Sequence, residues 1–503
     1  MRSCGILMPI FSLPSKGGIG TLGKEAFRFV DFLKKSGQSW WQILPLNPTN
    51  YGDSPYQSFS AYAGNPYFID PELLIEEGLL TNDEFESFDF GDDPSVVDYG
   101  KLYDNRLKFL KLAFERFKPT AEYFGFCEDN AFWLDEYALF MALKNMHNDV
   151  VWEEWEEELR KRDKDLLAKI ETEQKETIDL YKFIQYCFTK QWRALKKYAN
   201  DNGVGIIGDI PIYVAYDSAD VWSEPEQFQL DKELKPKSVA GCPPDAFSED
   251  GQLWGNPLYD WSYMKKDKFT WWKRRLGFAL DLYDMVRIDH FRGFEAYWSI
   301  PYGDKTAKGG KWLKGPNMAL FNEIEKEFGD NLPIIAEDLG FLTEEVHEML
   351  SKSGFPGMKV LQFAFSAGSD SDYLPHNYNK NCVVYTGTHD NDTILGWAET
   401  ADEKDLKMAQ KYLRADNREG FNWSMMRAAL MSVSDICILT MQDIIGLGAE
   451  ARINIPSTVG GNWQWRIDGG CINDWLANII YENTEVCFRL QKENTDEELK
   501  KVE

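Results

Sequence analysis

The residues best suited to chemistry in this chain are carboxylates that close short apolar runs. In MVRIDHFRG, Arg287 and Asp289 stand two positions apart, so on a strand their side chains share a face. A guanidinium in that position favours the ionised form of Asp289, the form a nucleophile needs. In PIIAEDLG, Glu337 ends an apolar run, where loss of solvent raises a carboxyl pKa toward the range of a general acid. In VVYTGTHDND, His389 and Asp390 follow another such run. An Asp/Glu pair flanking a glycosidic bond is the apparatus of glycoside chemistry. Acidic strand ends also occur in metal-dependent barrels and as plain ion pairs, and spacing alone leaves these open.

Elements must position these groups. Short buried-strand candidates occur at 5–9, 40–45, 205–209, 285–289, 333–337, 358–363, 382–386 and 436–442, and most lead into a polar loop and a helical pattern. Eight such runs alternating with helices predict an α/β fold, a (β/α)₈ TIM barrel, in which chemistry sits at the C-terminal strand ends. The gap between the second and third runs is far beyond one βα unit, so a mainly helical insertion is expected at 72–200. Its clearest helix carries Tyr103, Leu107, Leu110, Phe114 and Phe117 at 4-3-4-3 spacing, which predicts one buried apolar face. The charge-rich stretch 153–182 reads as a solvated helical face with i,i+4 pairs. A second long connection, 210–284, is rich in Pro, Gly and Trp, and a second insertion is placed within it at 215–265. No β-rich C-terminal domain is expected after residue 442, so 1–503 reads as a single barrel with insertions.

Composition excludes more than it selects. Lys+Arg number 55 against 82 Asp+Glu, a formal charge of −27, which disfavours binding to nucleic acid or to an acidic membrane surface. The chain is 15% aromatic, with 18 Trp and 23 Tyr, which suits either a large core or the stacking of sugar rings. Eight scattered Cys form no C-x-x-C pair, and no metal constellation or cofactor motif appears. With no signal peptide and no apolar stretch long enough to span a membrane, the expected location is cytoplasmic. GIGTLG at 18–23 fits the dinucleotide fingerprint G-x-G-x-x-G, but the second run ends Leu44-Pro45-Leu46-Asn47 with no acid for a ribose. Dinucleotide binding is therefore rejected.

The order Asp209, Arg287-x-Asp289, Glu337, His389-Asp390 resembles the four short regions of the α-amylase clan. Longer segments resemble the amylomaltases, glycoside hydrolase family 77. They are YGDSPYQSFSAYAGNPYFID (51–70), GDIPIYV (208–214), PPDAFSEDGQLWGNPLYDW (243–261), VRIDHFRGFEAYW (286–298), AEDLG (336–340), TGTHDNDT (386–393) and NIPSTVGGNWQWR (454–466). Position 457 is Ser where Gly is frequent in the family, read as tolerated loop variation.

The resemblance implies a retaining 4-α-glucanotransferase acting on maltooligosaccharides and longer α-1,4-glucans, without a cofactor. It makes Asp289 the nucleophile, Glu337 the general acid and base, and Asp390 the carboxylate that holds the donor sugar's 2- and 3-hydroxyls. His389 and Arg287 would help hold that sugar, with Asp209 supporting them. Tyr56 would stack a sugar on the acceptor side and Tyr51 would line a second glucan site, while Tyr62, Tyr67 and Phe68 pin their loop. Asp245 and Trp254 would contact substrate from the 215–265 insertion as it covers the cleft, and Asn462 and Trp463 would close the donor end. The alternatives are an α-amylase-like hydrolase sharing all three carboxylates, and an inert barrel used only for binding.

Overall fold

The computed structural model describes residues 2–244, 248–340, 342–366, 368, 371–415 and 419–491. Eight parallel strands form its centre: β1 (Ser3–Leu7), β2 (Trp40–Gln42), β3 (Gly205–Ile210), β4 (Met285–Ile288), β5 (Ile334–Ala336), β6 (Gly357–Val360), β7 (Cys382–Tyr385) and β8 (Ile436–Thr440). Their order around the sheet is β6-β7-β8-β1-β2-β3-β4-β5. Between β5 and β6 the barrel closes through two contacts. The Ala336 N–H donates to the Pro356 carbonyl at 3.0 Å, and the Met358 N–H donates to the buried Asp338 carboxylate at 2.6 Å. All eight expected runs are strands. The first begins two residues earlier than expected, and 361–364 turns into a 3₁₀ helix.

Alternation along the strands sends every second residue inward. Leu7, Ile207, Ile335, Met358, Val360, Val383, Tyr385, Ile436 and Ile438 make one buried cluster, with Trp40 and Met285 packed against it. Every barrel strand contributes, so the interior is a packed core and not a pore. Two residues further along their strands, the same inward face carries polar groups: Gln42 after Trp40, Asp209 after Ile207, Arg287 after Met285 and Glu337 after Ile335. The pattern that fills the barrel thus also aims the polar residues at its C-terminal mouth. The Tyr385 hydroxyl, hydrogen-bonded to Gln42 Oε1 at 2.9 Å, joins the apolar and polar layers.

Between β2 and β3 the chain forms helices and turns but no strand, the longest helix being Lys175–Asp201. Here the structure departs from the sequence reading. Helix Tyr99–Arg116 buries Tyr99, Leu102, Arg106, Phe109, Leu110 and Ala113, whereas Tyr103 is 65% exposed. The expected stripe holds in part: Leu110 is buried and Phe114 and Phe117 pack against the core, but Tyr103 and Leu107 are exposed and the buried face includes Arg106, whose guanidinium donates to the Tyr67 and Ile69 carbonyls. A second feature went unread: four strands, Ser238–Cys242, Gln252–Pro257, Ala296–Pro301 and Lys311–Lys314, form an antiparallel sheet beside the barrel. After Thr440 the described residues contain no strand, and among the described residues no helix is long and apolar enough to cross a membrane.

Candidate active site

Register builds the site. Asp209 on β3 is the lateral partner of Arg287 on β4, and Ile288 is the partner of Ala336 on β5. Asp289 and Glu337 follow those partners at the ends of adjacent strands. Parallel strands lie about 4.8 Å apart, so the two carboxyl groups start one strand spacing apart.

Arg287 is buried and divides its donors. One amino group binds both Asp209 oxygens at 2.8 and 2.7 Å, and the other reaches Asp289 Oδ1 at 2.9 Å. Burial works against its charge, but Asp209 and Asp289 outweigh burial and hold it ionised. Asp209 is fully buried and also accepts from the Tyr56 hydroxyl at 2.8 Å.

Asp289 differs from the sequence reading. Burial, opposed by Arg287, leaves its pKa above the ordinary carboxylate value. The guanidinium is shared with Asp209, and two further anions, Asp209 and Asp390, push the same way as burial. Its side chain is nonetheless 29% open to the cleft, so the push is that of a cleft wall and not of a sealed core.

Glu337 meets the expectation. Burial, and then the charge of Asp289, push it up to about 8, against the pull of Arg287 and two backbone donors. Those donors are the N–H groups of Leu339 on Oε1 at 2.8 Å and His290 on Oε2 at 2.7 Å.

The His290 bond arises from a local slip. The Glu337 N–H donates to the Ile288 carbonyl in ordinary parallel register. His290 then adopts φ 51°, and Phe291 takes the Glu337 carbonyl instead. The His290 N–H, released from the ladder, turns to the carboxylate.

Three rings cluster together. Tyr56 stacks on His389 at 5.1 Å, and Trp463 lies 5.9 Å from Tyr56 and 5.8 Å from His389. Tyr56 therefore sits with His389, Asp209 and Trp463. Asp390 accepts from Asn454 Nδ2 at 2.6 Å and lies 3.4 Å from His389 Nε2. Arg452 donates to the Asp390 carbonyl at 2.8 Å. Asn462 is engaged within its own loop, accepting from the Ile455 N–H and donating to Thr458. Trp254 packs edge-on against the His290 ring at 4.8 Å, and its strand is tied to the 51–70 loop by Gln57. Tyr62 and Phe68 are buried and Tyr67 is half-buried in that loop's packing. Asp245 and the Tyr51 side chain lie outside the described residues.

Sequence reasoning missed His290, Asn454 and Arg452. Asn454 opens a segment already singled out, 454–466, but nothing local marks it as the partner of Asp390. Ser457, exposed in the same loop, has φ 65°, a conformation natural to glycine.

Fold and geometry together define a class: a parallel barrel with a carboxyl pair on adjacent strands at its C-terminal mouth, the apparatus of glycoside chemistry. Residues 8–472 match the Glyco_hydro_77 family model, described as 4-alpha-glucanotransferase. The chain is 53% identical over 488 residues to a 4-alpha-glucanotransferase of Clostridium butyricum, covering 96% of this chain and 100% of the relative. It is 48% identical over 480 residues to that of Thermus thermophilus, covering 93% and 95%. The solved amylomaltase from Streptococcus agalactiae in complex with acarbose superposes with a TM-score of 0.95 at 42% identity, covering 98% of this chain and 100% of that one. The chain belongs to the Glyco_hydro_77 family of 4-alpha-glucanotransferases.

Proposed function

We propose that this chain is a retaining transferase that moves segments of a 1,4-α-glucan onto the 4-hydroxyl of glucose or a maltooligosaccharide. The observation that carries this reading is the asymmetric carboxyl pair. Asp289 has Arg287 in direct contact, while Glu337, pushed up to about 8, keeps its proton at neutral pH. The Arg287 contact favours the ionised form of the one for attack, and burial keeps the other protonated for departure.

In the first step, Asp289 attacks the anomeric carbon while Glu337 protonates the leaving glycosidic oxygen. In the second, the Glu337 carboxylate takes the proton of the acceptor 4-hydroxyl as that oxygen displaces Asp289. Retention needs carboxyl groups about 5–5.5 Å apart, inversion about 6.5–9.5 Å. Side-by-side placement on neighbouring strands supports the first. Asp390, held by Asn454, is assigned to the donor sugar's 2- and 3-hydroxyls, with Tyr56, His389 and Trp463 around that ring. The 215–265 insertion, carrying Trp254 and Asp245, is assigned to the acceptor side, and Tyr51 to a second glucan contact.

Water and a sugar both need Glu337 as base, so the carboxyl pair cannot set the outcome; differential binding of the acceptor does. Maltotriose should give glucose and a ladder of longer maltodextrins with total reducing ends nearly constant. Reducing ends rising in step with glucose would make the enzyme a hydrolase of 1,4-α-glucans, and unchanged maltotriose would make it an inert binder.

A further inference from the structure

His290 has no role in the mechanism above, yet three observations converge on it. Its backbone adopts φ 51°, a left-handed conformation that costs a non-glycine residue about 1–2 kcal/mol. That conformation releases its N–H to Glu337 Oε2 at 2.7 Å. Its ring meets Trp254 edge-on at 4.8 Å, and the ring Nε2 is buried without a hydrogen-bond partner. Burial, and then the nearby Arg292 charge, push the imidazole down to about 3, so it stays neutral across the working range. A buried polar atom left unpaired is costly, and such an atom beside the acid/base marks a place a ligand fills.

We infer that His290 is a positioning residue with two arms: its main-chain N–H aims the Glu337 carboxyl, and its ring Nε2 hydrogen-bonds a hydroxyl of the acceptor sugar seated against Trp254. The second arm rests on the transferase reading above; the first does not. The strained backbone explains both arms at once. An extended residue here would continue the ladder, donate its N–H to the Glu337 carbonyl, and leave Oε2 with one donor fewer. A neutral ring suits a sugar hydroxyl, because it can accept or donate without bringing a charge to the leaving oxygen. The groups that face Glu337 are Asp289 and Arg287 on β4, the Tyr373 phenol, and the N–H groups of His290 and Leu339. Of these, His290 also touches Trp254.

The N–H arm is tested without reference to activity. The chain has five His, so selective ¹⁵N-histidine labelling gives five backbone amide signals. The His290 signal, identified by its loss in His290→Gly, should move with pH through an inflection at about 8 and lose that inflection in Glu337→Gln. A His290 signal flat across that range overturns this arm.

The ring arm is tested with the same glycine variant, which accepts φ 51° and keeps the N–H while removing the imidazole. The KM for glucose as acceptor should rise about 3- to 10-fold, the scale of one neutral hydrogen bond, with kcat on an activated donor little changed. His290→Asn, which also tolerates the left-handed region and keeps a polar side chain, should recover part of the loss. Unchanged acceptor KM in a folded His290→Gly overturns this arm, as does an equal fall in kcat for every donor, which would indicate a structural role. If the wild-type chain itself fails to disproportionate maltotriose, the transferase reading falls first and the N–H arm still stands on its titration.

Discussion

At the scale of single residues, the chemistry depends on holding two neighbouring carboxyl groups in opposite protonation states. Glu337 must be protonated to release the leaving sugar, so kcat/KM should fall as pH rises through about 8. Asp289 must be ionised, and its pKa is raised by burial, so the acidic limb should lie above the ordinary carboxylate value. A pH–rate profile measures both limbs, which belong to the pair as much as to either residue. A basic limb at an ordinary glutamate value would contradict the assignment of Glu337. Asp289→Asn keeps the shape and removes the nucleophile and one anion. Turnover should drop by about 10⁴-fold or more, and the Glu337 pKa should fall because a neighbouring negative charge has gone. Carboxyl titration by NMR in that variant checks the second effect. Ser457 makes a separate, purely conformational prediction. With φ 65° and an exposed side chain, Ser457→Gly should raise stability by up to about 1 kcal/mol, read as a higher thermal midpoint.

At the scale of elements, the helices between β2 and β3 hold the aromatic loop 51–70 in place. From helix Lys175–Asp201, Gln185 exchanges two hydrogen bonds with the Gly64 backbone at 2.7 and 2.9 Å, and Gln191 does the same with Asp70 at 2.7 and 3.2 Å. Both amides are buried. Gln185→Leu leaves a buried N–H and carbonyl unpaired, which should cost about 1–3 kcal/mol of stability. Because the loop carries Tyr56, kcat/KM for oligosaccharides should fall as well, and unaltered kinetics would show that the loop holds without this staple. The side sheet does the corresponding work for Trp254. If Trp254 stacks a sugar, Trp254→Ala should lower kcat/KM by about 1–3 kcal/mol in transition-state terms with little change in thermal midpoint. A residue that only packs the core would show the reverse, about 3–5 kcal/mol of folding stability.

At the scale of the whole molecule, all eight cysteines are free, five of them buried, and burial raises the pKa of thiols such as Cys187 and Cys437. Reducing agent should therefore leave the unfolding midpoint unchanged, and a midpoint that drops on reduction would reveal a crosslink. The sequence by itself determined the barrel and the carboxylates at its mouth, since both are written in local alternation. A strand with inward Ile207 must place Asp209 inward, and inward Met285 must do the same for Arg287 and Asp289. What only the tertiary structure decided depends on partners remote in the chain. Arg106 is buried where it donates to carbonyls of the 51–70 loop, so the buried face of its helix takes in a charged residue and shares only part of the apolar stripe. Asn454 serves Asp390 across more than sixty residues of chain, and the side sheet joins strands from the 215–265 insertion to strands from the connection between β4 and β5. His290 turns left-handed because the ladder slips between two strands that meet only after folding, and no spacing rule in one sequence records where a neighbouring strand will offer its carbonyl.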